Sequence, residues 1–366
     1  MTLLTAKPAK DTTFAYKRTR QGLTVLAASA GLALLGLFLG IVIGPVNVSA
    51  GEFFSIIIDN LGIGEMSDET ARKARIVESI RVPRAVLAVL VGATLGASGA
   101  AMQGFFRNPL ADPGLIGVSG GGALAAVGII VLGGTFFSGL VLLLGRFTLP
   151  LAAFGGSLAT VALIYRVSLV DGRVVVATML LAGVAANALA ASGIGYLTFL
   201  ANDSQLRDLT FWTLGSLGGA TWARVVPAAI LMVIAITGLM TLARPMNSLL
   251  LGESDASTLG VDVEQVKRRA AVFTALGVGA ATAVCGIINF IGLVVPHLVR
   301  LMTGPDHRFV LPGSALLGAA LILFSDLIAR MLVVPAELPL GVVTATIGAP
   351  FFFWLLLRDK RRVDMG

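Results

Sequence analysis

Charged residues are scarce in this chain, because only 13% of its 366 residues are Asp, Glu, Lys or Arg. A soluble domain carries about 25%. A water-soluble enzyme of this composition would leave more apolar side chain than its cores could bury. Disorder is excluded as well, because disordered chains are poor in apolar residues.

Cysteine, histidine and nucleotide-binding lysines are also nearly missing. Cys285 is the only cysteine and lies in an apolar run, which excludes a disulfide framework and a cysteine metal site. None of the six lysines follows a glycine, whereas a phosphate-binding loop needs Gly-Lys-Ser/Thr. The glycine-rich run 117–122 therefore predicts close helix packing. His297 and His307 stand alone and predict no metal site, and no cofactor is expected on this chain.

Apolar residues are abundant instead. Hydrophobic residues make up 56% of the chain, the mean hydropathy is +0.92, and 44 residues are glycine. Transmembrane helices tolerate glycine because close backbone packing holds them together in lipid. The pattern predicts an all-α, polytopic membrane helical bundle. The net charge of +7 reflects basic residues at the ends of apolar runs, so nucleic acid is not an expected partner.

Apolar segments long enough to cross a membrane, about 20 residues each, recur along the chain. The stretch 270–299 carries no charge and is long for one crossing, and Asn289, Gly292 and Pro296 predict a break within the segment 270–303. Basic clusters in both tails and at 267–269 predict that these parts are cytoplasmic, so the stretch must cross twice. The other predicted spans are 22–45, 85–106, 114–144, 147–165, 174–200, 225–243, 310–329 and 338–357.

The result is ten spans with both termini in the cytoplasm. It divides the chain into a cytoplasmic tail (1–21), a ten-span domain (22–357) and a second cytoplasmic tail (358–366). The segment 46–84 is predicted outside the membrane and 251–269 in the cytoplasm. Five basic residues in 46–84 violate the positive-inside trend, which suggests that exposed outer arginines have a function.

Two pairs of residues near the outer surface stand out. Arg81 and Arg84 flank a proline and present adjacent guanidinium groups, which suit carboxylates on a partner protein. Snorkelling to lipid headgroups is the alternative. Asp326 and Arg330 lie four residues apart and can pair on one helix face. An intramembrane carboxylate such as Asp326 is otherwise a candidate proton relay.

The longest polar insert, 251–269, predicts two short cytoplasmic helices. The first covers Glu253–Thr258 and stops at Gly260, and the second covers Val261–Arg269, with Asp262 near its start. Such a helix–turn–helix between two spans favours a docking surface. An ordinary connecting loop is the alternative.

Several of these segments, taken together and in order, resemble the permease subunits of bacterial type II ABC importers for iron–siderophores, heme and cobalamin, the FecCD-like family. The resemblance covers residues 80–357. The matching stretches are Arg81-Val-Pro-Arg84, Gly99-Ala-Ala-Met-Gln103, Asn108-Pro-Leu-Ala-Asp-Pro113, Gly117-Val-Ser119, Leu181-Ala-Gly183, Phe211-Trp-Thr-Leu-Gly-Ser216, Gly292-Leu-Val-Val-Pro-His297, Gly304-Pro-Asp-His307, Glu337-Leu-Pro-Leu-Gly341 and Gly348-Ala-Pro350.

The resemblance implies the ten-span type II importer fold and a role for each group of residues. Arg81, Arg84 and Arg330 are expected to receive acidic residues of a periplasmic binding protein. Asn108 and Leu110 resemble a cytoplasmic gate, and Asn187 should line the pathway. The segment 251–269 resembles coupling helices that sit in a groove of the ATPase, with the contacts expected at Leu251, Gly252, Glu253, Ala256, Leu259 and Gly260.

The implied assembly is a permease homodimer in the bacterial inner membrane, with two copies of a separate ATPase that binds ATP and Mg²⁺. The stretches 211–222 and 334–339 look most similar to heme-transporting members, so heme is the expected cargo. A ferric siderophore or cobalamin is the alternative within this class. A proton-coupled secondary transporter that uses Asp326 or His297 is the alternative from a different class. An intramembrane enzyme lacks a nucleophile–base pair in the sequence.

Overall fold

The computed structural model describes residues 10–46, 48–60 and 67–363, and almost all of them are helical. The first half contains α1 (Lys10–Val42), α2 (Ala50–Asn60), α3 (Asp68–Ile76), α4 (Val82–Phe105), α5 (Val118–Leu132), α6 (Ser138–Leu144), α7 (Thr148–Val167) and α8 (Val176–Leu200). The second half contains α9 (Asp203–Leu214), α10 (Trp222–Met240), α11 (Ala243–Leu249), α12 (Glu253–Thr258), α13 (Val263–Cys285), α14 (Ile291–Thr303), α15 (His307–Met331) and α16 (Leu340–Val363). Strands β1 (Leu169–Val170) and β2 (Arg173–Val174) form one small antiparallel hairpin.

Every predicted span overlaps at least one helix of the described chain. Six helical segments of the described chain are long and apolar enough to cross a membrane, namely 17–42, 68–105, 138–167, 176–200, 222–240 and 307–331. Three shorter apolar helices, 118–132, 291–303 and 340–355, and the 23-residue α13 complete ten. The polytopic helical bundle is therefore confirmed, and the ten-span count fits it. The cytoplasmic placement of the two tails stays a prediction, and residues 1–9 and 364–366 lie outside the described residues.

The predicted span 114–144 is wrong as a single helix. Its first residues form a 3₁₀ turn at Pro113–Ile116, α5 then ends at Leu132, and α6 is a separate short helix. Thr135 and Phe137 donate their backbone N–H groups back to the carbonyl of Leu132. These turn bonds end α5 although the chain remains apolar.

The stretch 270–303 does form two helices, as predicted, and Asn289 lies in the break between them. The break spans Gly286 to Phe290, both of which adopt positive φ. Gly292 and Pro296 lie inside α14 instead. Pro296 has no N–H for the carbonyl of Gly292. The carbonyl of Gly292 packs closely against α4, because a methyl group added to Gly99 would lie 1.9 Å from the carbonyl oxygen of Gly292.

Helix α4 occupies the centre of the bundle, where it packs against α10, α13, α14 and α15. Small residues make the contact with α15 possible: a methyl group on Gly96 would lie 2.0 Å from the carbonyl oxygen of Ser314. Gly92 and Gly318 approach each other just as closely. In lipid, where apolar burial drives no helix association, such backbone contact supplies the packing energy.

The polar insert folds largely as predicted at its first helix. Glu253–Thr258 is α12, and Gly260 follows with φ +82°. The second predicted short helix is wrong as a separate element, because Asp262 caps the start of α13, which continues to Cys285. No proline stands between Arg269 and Cys285, so the turns after Asp262 and the apolar part of α13 form one continuous helix.

Candidate transport pathway and docking sites

Arg84 is the centre of an ionic network at the end of the bundle that is predicted to face outward. Its Nη1 and Nη2 donate to both carboxylate oxygens of Glu337, each at 2.9 Å. Its Nε donates to Oδ1 of Asp326 at 3.0 Å, and Oδ2 of Asp326 lies 3.1 Å from Nε of Arg330. The predicted Asp326–Arg330 pair is therefore present. Glu337, which the sequence indicated only as part of a motif, is the missing partner.

Arg81 and Arg330 hold the outer end of α1. Arg81 donates to the backbone carbonyls of Ile41 and Val42 in the last turn of that helix and to that of Val46 beyond it. Arg330 donates through Nη2 to the carbonyl of Gly40 at 3.0 Å. Both arginines satisfy carbonyls that the end of a helix leaves without partners.

The structure brings the three predicted docking arginines together but does not expose them. Arg81, Arg84 and Arg330 are only 3%, 7% and 5% exposed. The expectation of exposed outer guanidinium groups is therefore wrong for this conformation, since internal carboxylates and carbonyls already bind them. Their contact with a binding protein stays a prediction.

The segment before α4 is held by a second, partly buried ion pair. Lys73 of α3 donates to Oε1 of Glu52 in α2 at 2.8 Å. The hydrogen bond from Lys73 lowers the pKa of the Glu52 carboxyl to about 2, helped by the backbone N–H of Ser49. This contact fastens α2 to α3 on the side of the molecule where the arginine network lies.

The predicted gate residues lie in a tight turn after α4. Arg107 adopts φ +48°, a conformation that few residues other than glycine use. Asn108 donates its N–H to the carbonyl of Gln103, and its side-chain oxygen accepts from the N–H of Leu110 at 2.9 Å. Leu110 is 38% exposed. Asn108 therefore shapes the turn, and Leu110 is the side chain available to close a passage.

The predicted coupling residues surround α12 and divide into two groups. Leu251 and Leu259 flank the helix and are more than half exposed, whereas Ala256 is fully buried. Gly252 and Gly260 both adopt positive φ at the two ends of the helix. Leu251 and Leu259 therefore leave apolar side chains exposed on either side of a short polar helix.

A buried lysine that the sequence analysis missed fastens α12 to α13. Lys267 is 2% exposed, and its Nζ lies 2.8 Å from Oε2 of Glu253 and 3.4 Å from Oε1 of Glu264. Glu264 also accepts the backbone N–H of Val174 in the β-hairpin. Glu253 lies 3.8 Å from Arg107 of the gate turn. One ionic cluster thus joins the predicted coupling helix, α13, the hairpin and the turn before the gate.

Asn187 lies half-buried on α8, where its Nδ2 donates to the carbonyl of Gly114 at 3.0 Å. Beside it is a polar cavity of about 230 Å³ whose lining includes Asp112, Ser119 and Asn289. Asp112 accepts the N–H of Gly114 at 2.7 Å and so caps the turn that follows. The opposite face of α8 is exposed over its length and includes Leu181, Val184, Leu189, Tyr196 and Phe199.

The histidines form no metal site. His297 packs its ring against Phe351, 6.5 Å between centroids, and His307 hydrogen-bonds to Asn247. Among the described residues, no group of three or more His, Cys, Asp or Glu side chains is placed to hold a metal ion.

Residues 32–358 match the FecCD transport family. The chain belongs to this family. The hemin transport system permease HmuU of Yersinia pestis is 48% identical over 285 residues, which cover 78% of this chain and 84% of HmuU. The cobalamin import permease BtuC of Halobacterium salinarum is 43% identical over 285 residues, 78% of this chain and 74% of that protein. The vitamin B12 import permease BtuC of Escherichia coli O9:H4 is 37% identical over 352 residues, with 95% and 99% coverage.

A solved structure supports the same conclusion for the whole fold. An inward-facing conformation of a metal-chelate type ABC transporter superposes with a TM-score of 0.78 at 26% identity, over 92% of this chain and 99% of that one. The FecCD chain described here is thus the permease of a type II ABC importer.

Proposed function

We propose that this FecCD permease is the membrane subunit of an ATP-driven importer that moves heme from a periplasmic binding protein into the cytoplasm. The observation that carries the choice of cargo is the 48% identity with a hemin permease, against 43% over an equal length with a cobalamin permease. The sequence similarity of 211–222 and 334–339 to heme-transporting members agrees with it. A ferric siderophore or cobalamin is the alternative cargo.

The working unit is a homodimer in the bacterial inner membrane, with both tails in the cytoplasm. Helix α8 supports this arrangement, because it contacts its own chain on one face only. That exposed face alternates small residues, such as Ala188 and Ser192, with larger apolar ones. Two copies of α8 facing each other would enclose a pathway with weak contacts, so that affinity for the cargo resides in the binding protein.

Two copies of a separate ATPase supply the energy through α12. Leu251 and Leu259, which flank α12, are exposed and so are available for contact with that partner. The cluster of Glu253, Lys267 and Glu264 ties α12 to the long rod of α13. A displacement of α12 would therefore move α13 and the turn at Arg107 together rather than bend a flexible loop.

The outer network would receive the binding protein. Arg84 already binds the carboxylate of Glu337 with both arms of its guanidinium group. An acidic side chain from the binding protein would compete for the same donors. The side chain of Glu337 is 42% exposed, so it is accessible for such an exchange, whereas Asp326 lies buried behind it.

A cargo panel tests the proposal. The permease is reconstituted with its ATPase in liposomes, and the cognate binding protein is supplied outside with heme, a ferric hydroxamate or cobalamin. We expect ATP-dependent uptake of heme and none of the other two, with an ATPase variant that cannot hydrolyse ATP as control. Uptake of a siderophore or cobalamin alone would refute heme while leaving the importer class intact.

A further inference from the structure

A cavity of about 280 Å³ lies beside the predicted gate, between the ends of α4 and α14. Gln103, Arg107, Asn108 and Arg300 contribute to its walls, and none of the described residues that line it is acidic. The cavity therefore combines two guanidinium groups with neutral surroundings. None of the roles assigned above involves Arg300.

Arg300 is partly buried, yet it binds no carboxylate in the described part of the chain. Its one hydrogen bond runs from Nη1 to the side-chain oxygen of Gln103, at 2.8 Å. Gln103 is held in that orientation because its Nε2 donates to the carbonyl of Leu293. A cation kept from water without a counter-ion is costly. The dipole at the end of α14 offsets only part of that cost, since it supplies no full negative charge.

Arg107 adds a second incompletely neutralised cation. Its nearest carboxylate, Glu253, is 3.8 Å away and is engaged with Lys267 at 2.8 Å. The positive φ of Arg107 is a local strain of the kind that gathers at functional sites. Two guanidinium groups around a confined cavity attract an oxyanion, and their planar donors suit a carboxylate.

The neighbouring groove on α12 has the opposite charge. It measures about 670 Å³ and is lined by Glu253, Asp262 and Glu264 with Arg173 as the one basic residue, and it shares no lining residue with the gate cavity. The surface expected to meet the ATPase is therefore acidic. The basic cavity belongs to the gate instead, because Asn108 and Pro109 form part of it.

We propose that the cavity at Arg107 and Arg300 is an exit site that binds a carboxylate of the chelate as it passes the gate. The inference rests on the proposed function insofar as the cargo is an anionic chelate; heme carries two propionates, whereas the periphery of cobalamin is rich in neutral amides. Binding there would hold the cargo on the cytoplasmic side while the bundle closes behind it.

Equilibrium binding tests this site apart from transport. The full chain is placed in nanodiscs of zwitterionic phosphatidylcholine and titrated with heme and with heme dimethyl ester, in which the carboxylates are blocked. Empty nanodiscs correct for partitioning into lipid. Arg300→Gln should weaken heme binding about tenfold, as expected for the loss of a charged hydrogen bond, and leave ester binding unchanged.

Two further variants secure the interpretation. Arg107→Gln alters only a half-exposed side chain and should shift heme binding in the same direction without endangering the fold. Arg166→Gln removes an exposed arginine in the last turn of α7 and should change nothing. Heme affinity that is equal in Arg300→Gln and wild type, or an equal loss for heme and ester, would overturn the proposal.

The remaining outcomes distinguish a lipid headgroup from a cargo carboxylate as the bound anion. They also distinguish failure of the exit site from failure of the proposed cargo. If phosphatidylglycerol in the nanodisc occupies the site and heme does not displace it, the ligand is a lipid headgroup and the exit site is refuted. If carboxylate-selective binding depends on Arg300 but liposomes take up no heme, the site stands and the proposed cargo fails. If liposomes take up heme but binding does not depend on Arg300, the proposed cargo stands and the exit site is refuted.

Discussion

Replacing Gly96 by alanine tests whether backbone contact between α4 and α15 holds the bundle together. The added methyl group would lie 2.0 Å from the carbonyl oxygen of Ser314 and 2.8 Å from its carbon. An ordinary carbon–oxygen contact is about 3.3 Å, so the helices must separate locally by about 1.3 Å. The obstacle is backbone on both sides, and no side chain can rotate away to relieve it.

The cost follows from this displacement. A gap of about 0.5–1 Å already forfeits a quarter to a half of the dispersion energy at each facing contact. Overpacking of a well-filled core costs about 1–3 kcal/mol, and a clash between two backbones belongs at the upper end. Alanine recovers about 1 kcal/mol through helix propensity. We expect a net loss of about 2 kcal/mol of stability.

Thermal unfolding of the purified permease in detergent measures the effect. Gly96→Ala should lower Tm by several degrees. The matched control is Gly31→Ala on α1, where an added methyl group meets nothing within 4 Å, and its Tm should stay level or rise. If both variants behave alike, helix packing in this protein does not depend on the close approach of α4 and α15.

Three further predictions concern ionic contacts. Asp326→Asn removes a buried partner of two arginines and should cost about 3–5 kcal/mol, seen as a lower Tm; an unchanged Tm would show that Asp326 contributes no such stability. Lys267→Met frees α12 from α13, so heme uptake should fall severalfold while ATP hydrolysis continues, and a parallel loss of both would contradict the proposed linkage. The pKa of Glu52 is lowered from its ordinary 4.5 to about 2 by Lys73, so the α2–α3 contact is fully present above pH 4.5 and is lost as the pH falls toward 2. Amide exchange in α2 and α3, compared with Glu52→Gln, should differ at pH 6 and converge toward pH 2; a constant difference would contradict this.

The sequence predicted the number of membrane spans better than the residues at which the helices begin and end. The basic clusters at 267–269 and in the C-terminal tail were both predicted to be cytoplasmic, so 270–303 had to turn back. Helices α13 and α14 confirm the turn. Gly292 lies inside α14, and its carbonyl packs on Gly99, a residue nearly 200 positions earlier. Local propensity carries no information about such a contact.

The same limit applies to the outer network. The spacing of Asp326 and Arg330 predicts their pairing on one helix turn, and the structure contains it. The bonds from Arg84 to Asp326 and Glu337 join residues more than 240 positions apart. From the sequence alone, Arg84 is predicted to be an exposed cation at the outer surface, whereas in the structure it is buried.

Lys267 illustrates the third kind of error. In the sequence it is one of three consecutive basic residues that indicate a cytoplasmic loop. In the structure Arg268 and Arg269 are exposed, whereas Lys267 points inward to Glu253 and Glu264. The spacing of Glu264 and Lys267 at i and i+3 was the available signal. The partner on α12 could not be read from spacing alone.

The most direct test of the account is the initial rate of heme uptake into liposomes that contain the permease and its ATPase, with the heme-loaded binding protein outside. The account predicts uptake when ATP is sealed with the ATPase and none when only a pH gradient is imposed. Uptake driven by the pH gradient without ATP would contradict it and would return Asp326 to the centre of the mechanism.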